Sequence, residues 1–414
     1  MYSYRRRWLI FGVLAAIYFF VYFHRTSSAV IAKELMVEFG VSAVAIGLMS
    51  SLYFYPYALM QIPVGMLSDT VGTRRTATFF TFLAFAGATL FGLSQNFSMV
   101  LFARLLMGIG VSGVYIPTLK ILSQWFRQHE FASLTGLLLA IGNFGAISSA
   151  YPLAMMVIFF GWRSSFLVIG SITFTLAVLC WVFVRDSPAS VGLKPLYRTT
   201  LEKVNVKEGV KSVVKNRYFW PLAIWFFFEY GALMGFQGLW GGPYLIEVYG
   251  MSKAEAGAIL MTVGIGVMIG SPVIGLLSDR VFKNRKKTLI TFTAIYFLIW
   301  IPLAFSTSLS VFVLYAIAFI MGFSGSVLII TFTSTKELFP LKITGIATSM
   351  VNIFPFIGGA VFQTVMGYIM DTIGKRGESY PPEAYLLAFK FCLIAALISL
   401  VFSFLTKETY TAES

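Results

Sequence analysis

Apolar residues in this chain come in runs several times longer than a buried strand, parted by short polar turns. A membrane span needs roughly 20 predominantly apolar residues, and such runs can be marked at 8–32, 42–66, 76–95, 97–124, 132–158, 164–184, 217–246, 253–277, 288–306, 309–335, 343–370 and 383–406. The pattern predicts an all-α membrane protein with twelve transmembrane helices. One long polar stretch, between Arg185 and Arg217, interrupts it and contains Pro188, Pro195, Lys203, Lys207, Lys211 and Lys215. It parts the chain into a six-helix half at 1–187 and another at 217–414, joined by a linker at 188–216. Lys207, Lys211 and Lys215 recur every four residues, the spacing of one face of a short amphipathic helix lying on the membrane surface.

Composition agrees, because 58% hydrophobic and 12% charged residues among 414 do not suit a water-facing surface. The net charge of +14 raises the question of nucleic acid. Its distribution answers it. Arg5, Arg6, Arg7, Arg74, Arg75, Arg127, the run from Lys194 to Arg217, Arg280, Lys283, Arg285, Lys286, Lys287, Lys336, Lys342 and Lys407 all fall in alternate loops or termini, whereas the other loops hold little beyond Lys33, Lys253, Lys375 and Arg376. Positive charge collects on the cytoplasmic side of membrane proteins. The expectation is a bacterial-type cytoplasmic (inner) membrane protein with both termini in the cytoplasm and no nucleic-acid partner.

Cys180 and Cys392 both lie within spans, so no disulfide framework is implied, and no cleavage site for a signal peptide follows the first run. The chain has two histidines, His24 and His129, and carries no nucleophile triad, metal-ligand spacing or phosphate loop. An enzyme is not expected, nor is any cofactor or metal.

The halves repeat. Gly65-Met-Leu-Ser-Asp69-Thr-Val-Gly72-Thr-Arg74-Arg75 closes the second span, and Gly275-Leu-Leu-Ser-Asp279-Arg280 followed by Asn284-Arg285-Lys286-Lys287 closes the eighth. Segments repeated at matching positions of two halves mark transporters whose site lies near the midplane. The first segment resembles the defining loop of the major facilitator superfamily, and Arg104-Leu-Leu-Met-Gly108-Ile-Gly110 is similar to that family's second motif. Gly136 to Pro152 is a weaker version of the third. Gly161-Trp162-Arg163, Asp186-Ser-Pro-Ala-Ser-Val-Gly192 and Glu337-Leu-Phe-Pro340 resemble the organophosphate:phosphate antiporter and organic-anion symporter branches. Tyr22-Phe-His-Arg25 and Gln61-Ile-Pro-Val-Gly65 resemble the phagosomal transporters. The resemblance implies a cytoplasmic gate formed by Asp69, Arg74, Arg127 and Glu130 in one half and by Asp279, Arg285 and Glu337 in the other.

A buried cation is the main candidate for chemistry. Arg25 is about 26 Å along the helix from Trp8 at 1.5 Å per residue, and ionisable groups at such depth face a polar interior rather than lipid. Tyr18, Tyr22 and Arg25 share one helical stripe. Tyr57 and Gln61 in the second span, Lys120 in the fourth, Asn143 in the fifth, Gln237 and Trp240 in the seventh and Asn352 in the eleventh complete the candidate substrate-binding set. Glu229, about 18 Å from Arg217 by the same rise, is the candidate proton carrier or a counter-ion for Arg25 or Lys120. His24 faces elsewhere and suggests a gate or packing role. The antiporter branch implies a second arginine on span seven, which this chain lacks, and puts its span-five histidine at Gly142. A singly charged organic anion or a zwitterion, such as a carboxylic acid or an amino acid, therefore fits better than a phosphate.

The expected function is secondary active transport by alternating access, proton-coupled through Glu229, in a chain working as a monomer among membrane lipids. Phosphate-ester exchange, export of drugs or metabolites, and a transporter-like membrane sensor are the alternatives.

Overall fold

The computed structural model describes residues 6–193, 206–340 and 343–410, and among them it is helical apart from turns and one isolated bridge between Arg376 and Ser379. Each apolar run marked in the sequence is helical. By length and apolarity alone, nine helices among the described residues could cross a membrane, or ten if the bent pair Ala43–Leu59 and Pro63–Thr70 counts as one span. The shortfall from twelve has local causes. The helix Thr73–Gly92 is long enough but opens on Thr73, Arg74, Arg75 and Thr76. The stretch Tyr151–Phe183 holds the end of one span and the whole of the next, parted at Gly161, whose φ of +76° is open to glycine and strained for other residues.

Two compact units emerge from the packing, Met1–Ser27 with Leu52–Leu201, and Ser28–Ser51 with Glu202–Ser414. The first contains α1 (Arg7–Thr26), the later part of α3 (Ala43–Leu59), α4 (Gln61–Thr70), α5 (Thr73–Gly92), α6 (Phe97–Ser112), α7 (Tyr115–Trp125), α8 (Gln128–Ser148) and α9 (Tyr151–Phe183). Within it α1 packs on α8, and α5 on α6 and α9.

The second unit takes α2 (Ser28–Phe39), the start of α3, the linker helix α10 (Val206–Lys215), α11 (Phe219–Gly235), α12 (Gly241–Tyr249), α13 (Lys253–Leu276), α14 (Arg285–Phe305), α15 (Val311–Gly325), α16 (Leu328–Leu338), α17 (Thr344–Val351), α18 (Ile353–Ile373) and α19 (Pro382–Leu405). Here α11 packs on α18 and α14 on α19. These pairs repeat those of α1 with α8 and of α5 with α9, so the sequence repeat is also a packing repeat.

The caps repeat as well. Asp186 Oδ1 accepts the Arg74 N–H and the Thr73 hydroxyl, both at 2.5 Å, at the start of α5. Glu408 accepts the N–H groups of Arg285 and Lys286 at 2.9 and 3.0 Å, at the start of α14. A carboxylate there satisfies orphan donors and meets the positive end of the helix dipole.

Within the linker, Val206–Lys215 is the helix α10. Its apolar side packs on protein, with Val213 fully buried among Phe219, Phe339 and Ala347, while Lys211 and Lys215 stay exposed. Lys203 and the side chain of Lys207 lie outside the described residues, as does that of His129.

Candidate functional site

In the first unit the last turn of α1 carries Arg25 into the protein interior, at 5% exposure. Tyr22 lies one turn earlier, and its ring centroid is 4.1 Å from the guanidinium carbon. Tyr57, from α3, approaches to 5.7 Å. Tyr18 meets Tyr22 edge-on at 5.3 Å and stacks on Tyr115, from α7, at 5.4 Å. Tyr22 and Tyr57 thus face the cation, with Tyr18 and then Tyr115 packed behind Tyr22. The negative ring face holds a guanidinium by its flat side, and its N–H edge is the geometry that grips a carboxylate or sulfonate in a fork.

This packing depends on a missing side chain. Gly142 of α8 lies under Tyr18 and Tyr22, and a β-carbon there would sit 2.9 Å from Tyr18 Cε1 and 3.0 Å from Tyr22 Cδ2. Above it the Thr26 hydroxyl meets that of Ser149 at 2.6 Å and ties the end of α1 to α8.

The other candidates in this unit are spread out. Gln61 is half-buried and donates to the Tyr57 carbonyl of its own helix at 2.8 Å. Asn143 is half-buried beside Gly142. Lys120 forms an ion pair with Asp69, with both side chains substantially exposed. Glu130 takes Arg7 in a two-pronged pair at 3.0 Å and accepts the Arg127 N–H at 2.8 Å, while Arg74 lies 4.1 Å over the Trp181 ring. Of the four gating residues expected together, Arg127 and Glu130 meet at the start of α8, Asp69 is engaged by Lys120 and Arg74 faces the Trp181 ring.

His24 is fully buried against Phe20 and Phe166, beside a small cavity lined also by Thr81, Val111 and Thr173. Arg104 is buried too, 5.0 Å over the ring of Tyr53.

In the second unit Arg285 collects the residues expected with it. It binds Asp279 and Ser278 with Nη1 and Glu337 with Nη2 at 2.9 Å, under the ring of Tyr410 at 5.1 Å. Glu229 is buried at 2% exposure, and its Oε2 accepts the Ser399 hydroxyl at 2.8 Å. The Tyr296 hydroxyl donates to the Glu229 backbone carbonyl at 3.2 Å. Gln237 is buried, Trp240 donates to the Gln363 carbonyl at 2.9 Å, and Asn352 is half-buried where α17 meets α18.

Reading the sequence missed Tyr115 and Arg104 as neighbours of the cluster, and Asp186, Glu408, Glu247 and Asp371 as carboxylates that join helices. Tyr115 opens α7 and has no partner on a helical stripe of its own, so spacing gave no signal for it.

The major facilitator superfamily model matches residues 14–241 and 230–414. The chain belongs to the major facilitator superfamily. It is an integral membrane transporter, not an enzyme. Among its relatives are a protein of Cupriavidus necator described as "Probable sulfoacetate transporter SauU", 24% identical with 90% of this chain and 89% of that one covered, and the "Probable L-galactonate transporter" of Escherichia coli, 24% identical with 94% and 86% covered. Of solved structures, a bacterial homologue of the human lysosomal transporter Spinster, inward-facing and unoccupied, superposes with a TM-score of 0.79 at 19% identity, over 97% of this chain and 98% of that one. This last likeness concerns the fold of the superfamily.

Proposed function

We propose that this transporter moves a small organic anion, or a zwitterion with a carboxylate, by alternating access. Arg25 binds the anionic group, and Tyr18, Tyr22 and Tyr57 hold and orient it. The observation that carries the reading is a buried guanidinium faced by two phenols, 4.1 Å from Tyr22 and 5.7 Å from Tyr57. A cation is costly at such depth and persists where it has a task. Two of the relatives support an organic acid, since sulfoacetate and L-galactonate are both compact organic acids. Lys120, engaged with Asp69, supplies no second clamp for a doubly charged phosphate.

Glu229 is the proton carrier in this reading. Its carboxyl is buried, with the neutral Ser399 hydroxyl as a hydrogen-bond partner, a setting that tolerates the protonated carboxyl. Gln237, Trp240 and Asn352 belong to the same proposal as polar groups of the second half. Asp69 with Lys120, and Asp279 with Arg285 and Glu337, form cytoplasmic gate contacts. Both termini lie in the cytoplasm, on the side where the basic loops collect.

Uptake of small carboxylates and sulfonates into proteoliposomes, with and without an imposed pH gradient, tests the reading. Concentrative uptake driven by acid on the entry side, abolished by Arg25→Ala, is the expected result. No uptake of any organic acid by the folded protein would refute it.

A further inference from the structure

The segment Ser28–Ser51 precedes most of the first half in the chain, yet it packs as part of the second unit. What fastens it there is concentrated at the start of α3. Asp371, near the end of α18, accepts the Ala43 N–H with Oδ1 at 3.0 Å and the Val44 N–H with Oδ2 at 2.8 Å. The Tyr380 hydroxyl also accepts the Ala43 N–H, at 2.9 Å, and donates to Asp371 Oδ1. The cap that α3 carries itself is weaker, Ser42 Oγ accepting the Ala45 N–H at 3.3 Å. Two of the four orphan donors of this helix are thus satisfied by a carboxylate 327 and 328 residues away in sequence.

Around this centre lie weaker ties. Lys375 donates to the Val41 carbonyl at 3.1 Å, Lys253 pairs with Glu34, and Lys33 lies 3.7 Å from Glu247. Glu247 itself is held by the Tyr380 N–H at 3.0 Å and the Tyr385 hydroxyl at 2.7 Å. Further along α3 the Ser51 hydroxyl donates to the Ala360 carbonyl at 2.6 Å and lies 2.7 Å from the Thr364 hydroxyl. The lysine pairs are partly exposed and replaceable by water and salt at little cost. Tyr380, by contrast, is buried at 3% exposure. Separating the arm from α18 strips the first two N–H groups of α3 of a charged acceptor and removes the carboxylate from the positive end of its dipole.

We propose that Asp371, acting on the Ala43 and Val44 amides together with Tyr380, is the latch that keeps the 28–51 arm closed on the second half, and that its release governs the rate at which this side of the transporter opens. Asp371 is a positioning residue, acting through a helix end rather than on the solute. The inference rests on the transport reading, and the experiment separates the two.

A cysteine at Ser51, facing Ala360 and Thr364, reports opening; Cys180 and Cys392 are both buried and stay silent. In membrane vesicles carrying Ser51→Cys, the rate of labelling by an impermeant maleimide is compared with and without Asp371→Asn, and transport of a sugar acid is measured in parallel. Asp371→Asn keeps the shape and removes the charge, so labelling is expected to rise roughly two- to fivefold, with kcat altered and KM unchanged. Tyr380→Phe, which loses only the shared hydroxyl, is expected to move labelling the same way by less, and it decides the matter if Asp371→Asn does not fold. Unchanged labelling and kcat in the folded variants would overturn the latch. Faster labelling without flux of any tested solute would uphold the latch and count against the transport reading instead.

Discussion

Gly142 presses its bare α-carbon against the rings of Tyr18 and Tyr22, so a β-carbon would come within 2.9 and 3.0 Å of them. The phenols beside Arg25 therefore pack directly on a residue that has no side chain. Gly142→Ala is expected to fold, to push both rings towards Arg25 and to raise the KM for uptake about tenfold, in line with the 1–3 kcal/mol that overpacking costs. An unchanged KM, measured by initial uptake rates, would show that the rings yield without disturbing the site.

Arg25→Lys keeps the charge and loses the planar fork and the stacking on Tyr22. If Arg25 grips a carboxylate at two points, transport is expected to fall by at least about tenfold, since such sites do not treat the two cations as equivalent. Tyr22→Leu should cost more than Tyr22→Phe, because phenylalanine retains the aromatic face 4.1 Å from the guanidinium. Equal effects of the two would exclude the ring face as the feature that matters.

For Glu229, the variant Glu229→Gln keeps the Ser399 contact sterically and cannot release a proton. Exchange of labelled for unlabelled solute is expected to continue, while accumulation driven by acid on the entry side disappears. Full accumulation in Glu229→Gln proteoliposomes would remove Glu229 from the coupling step and leave the carboxyl as a tie between α11 and α19.

The two ion-pair groups should separate in a thermal melt. Arg285→Ala leaves Asp279 and Glu337 facing each other, with hydrogen bonds of the strong, charge-assisted kind lost, and is expected to destabilise the detergent-solubilised protein by about 1.5–3 kcal/mol. Lys120→Ala breaks a pair whose side chains are 36% and 69% exposed, where the loss is about 0–1 kcal/mol. A larger fall in Tm for Lys120→Ala than for Arg285→Ala would reverse this ranking.

Relationships confined to one helix were legible before any coordinates. Runs of twenty apolar residues define membrane helices, and the repeat of Gly65–Arg75 near Gly275–Lys287 declares two related halves. Spacings of four and three put Tyr18, Tyr22 and Arg25 on one stripe, because 3.6 residues per turn is a property of the backbone alone. The apolar runs count twelve spans, and helix length with apolarity counts fewer among the described residues because Arg74 and Arg75 open one helix and two others run on across Gly161.

Partners across helices were a different matter, and only the tertiary structure decided them. Nothing along the chain says that Asp69 meets Lys120 rather than an arginine, that Ser399 reaches Glu229, or that Asp371 caps α3. Each depends on how far a helix is rotated about its own axis when it packs, and rotation is selected by shape and small residues at the contact. Composition and periodicity determine that a helix crosses the membrane and which residues share its stripe; the packing of many helices at once determines what that stripe faces.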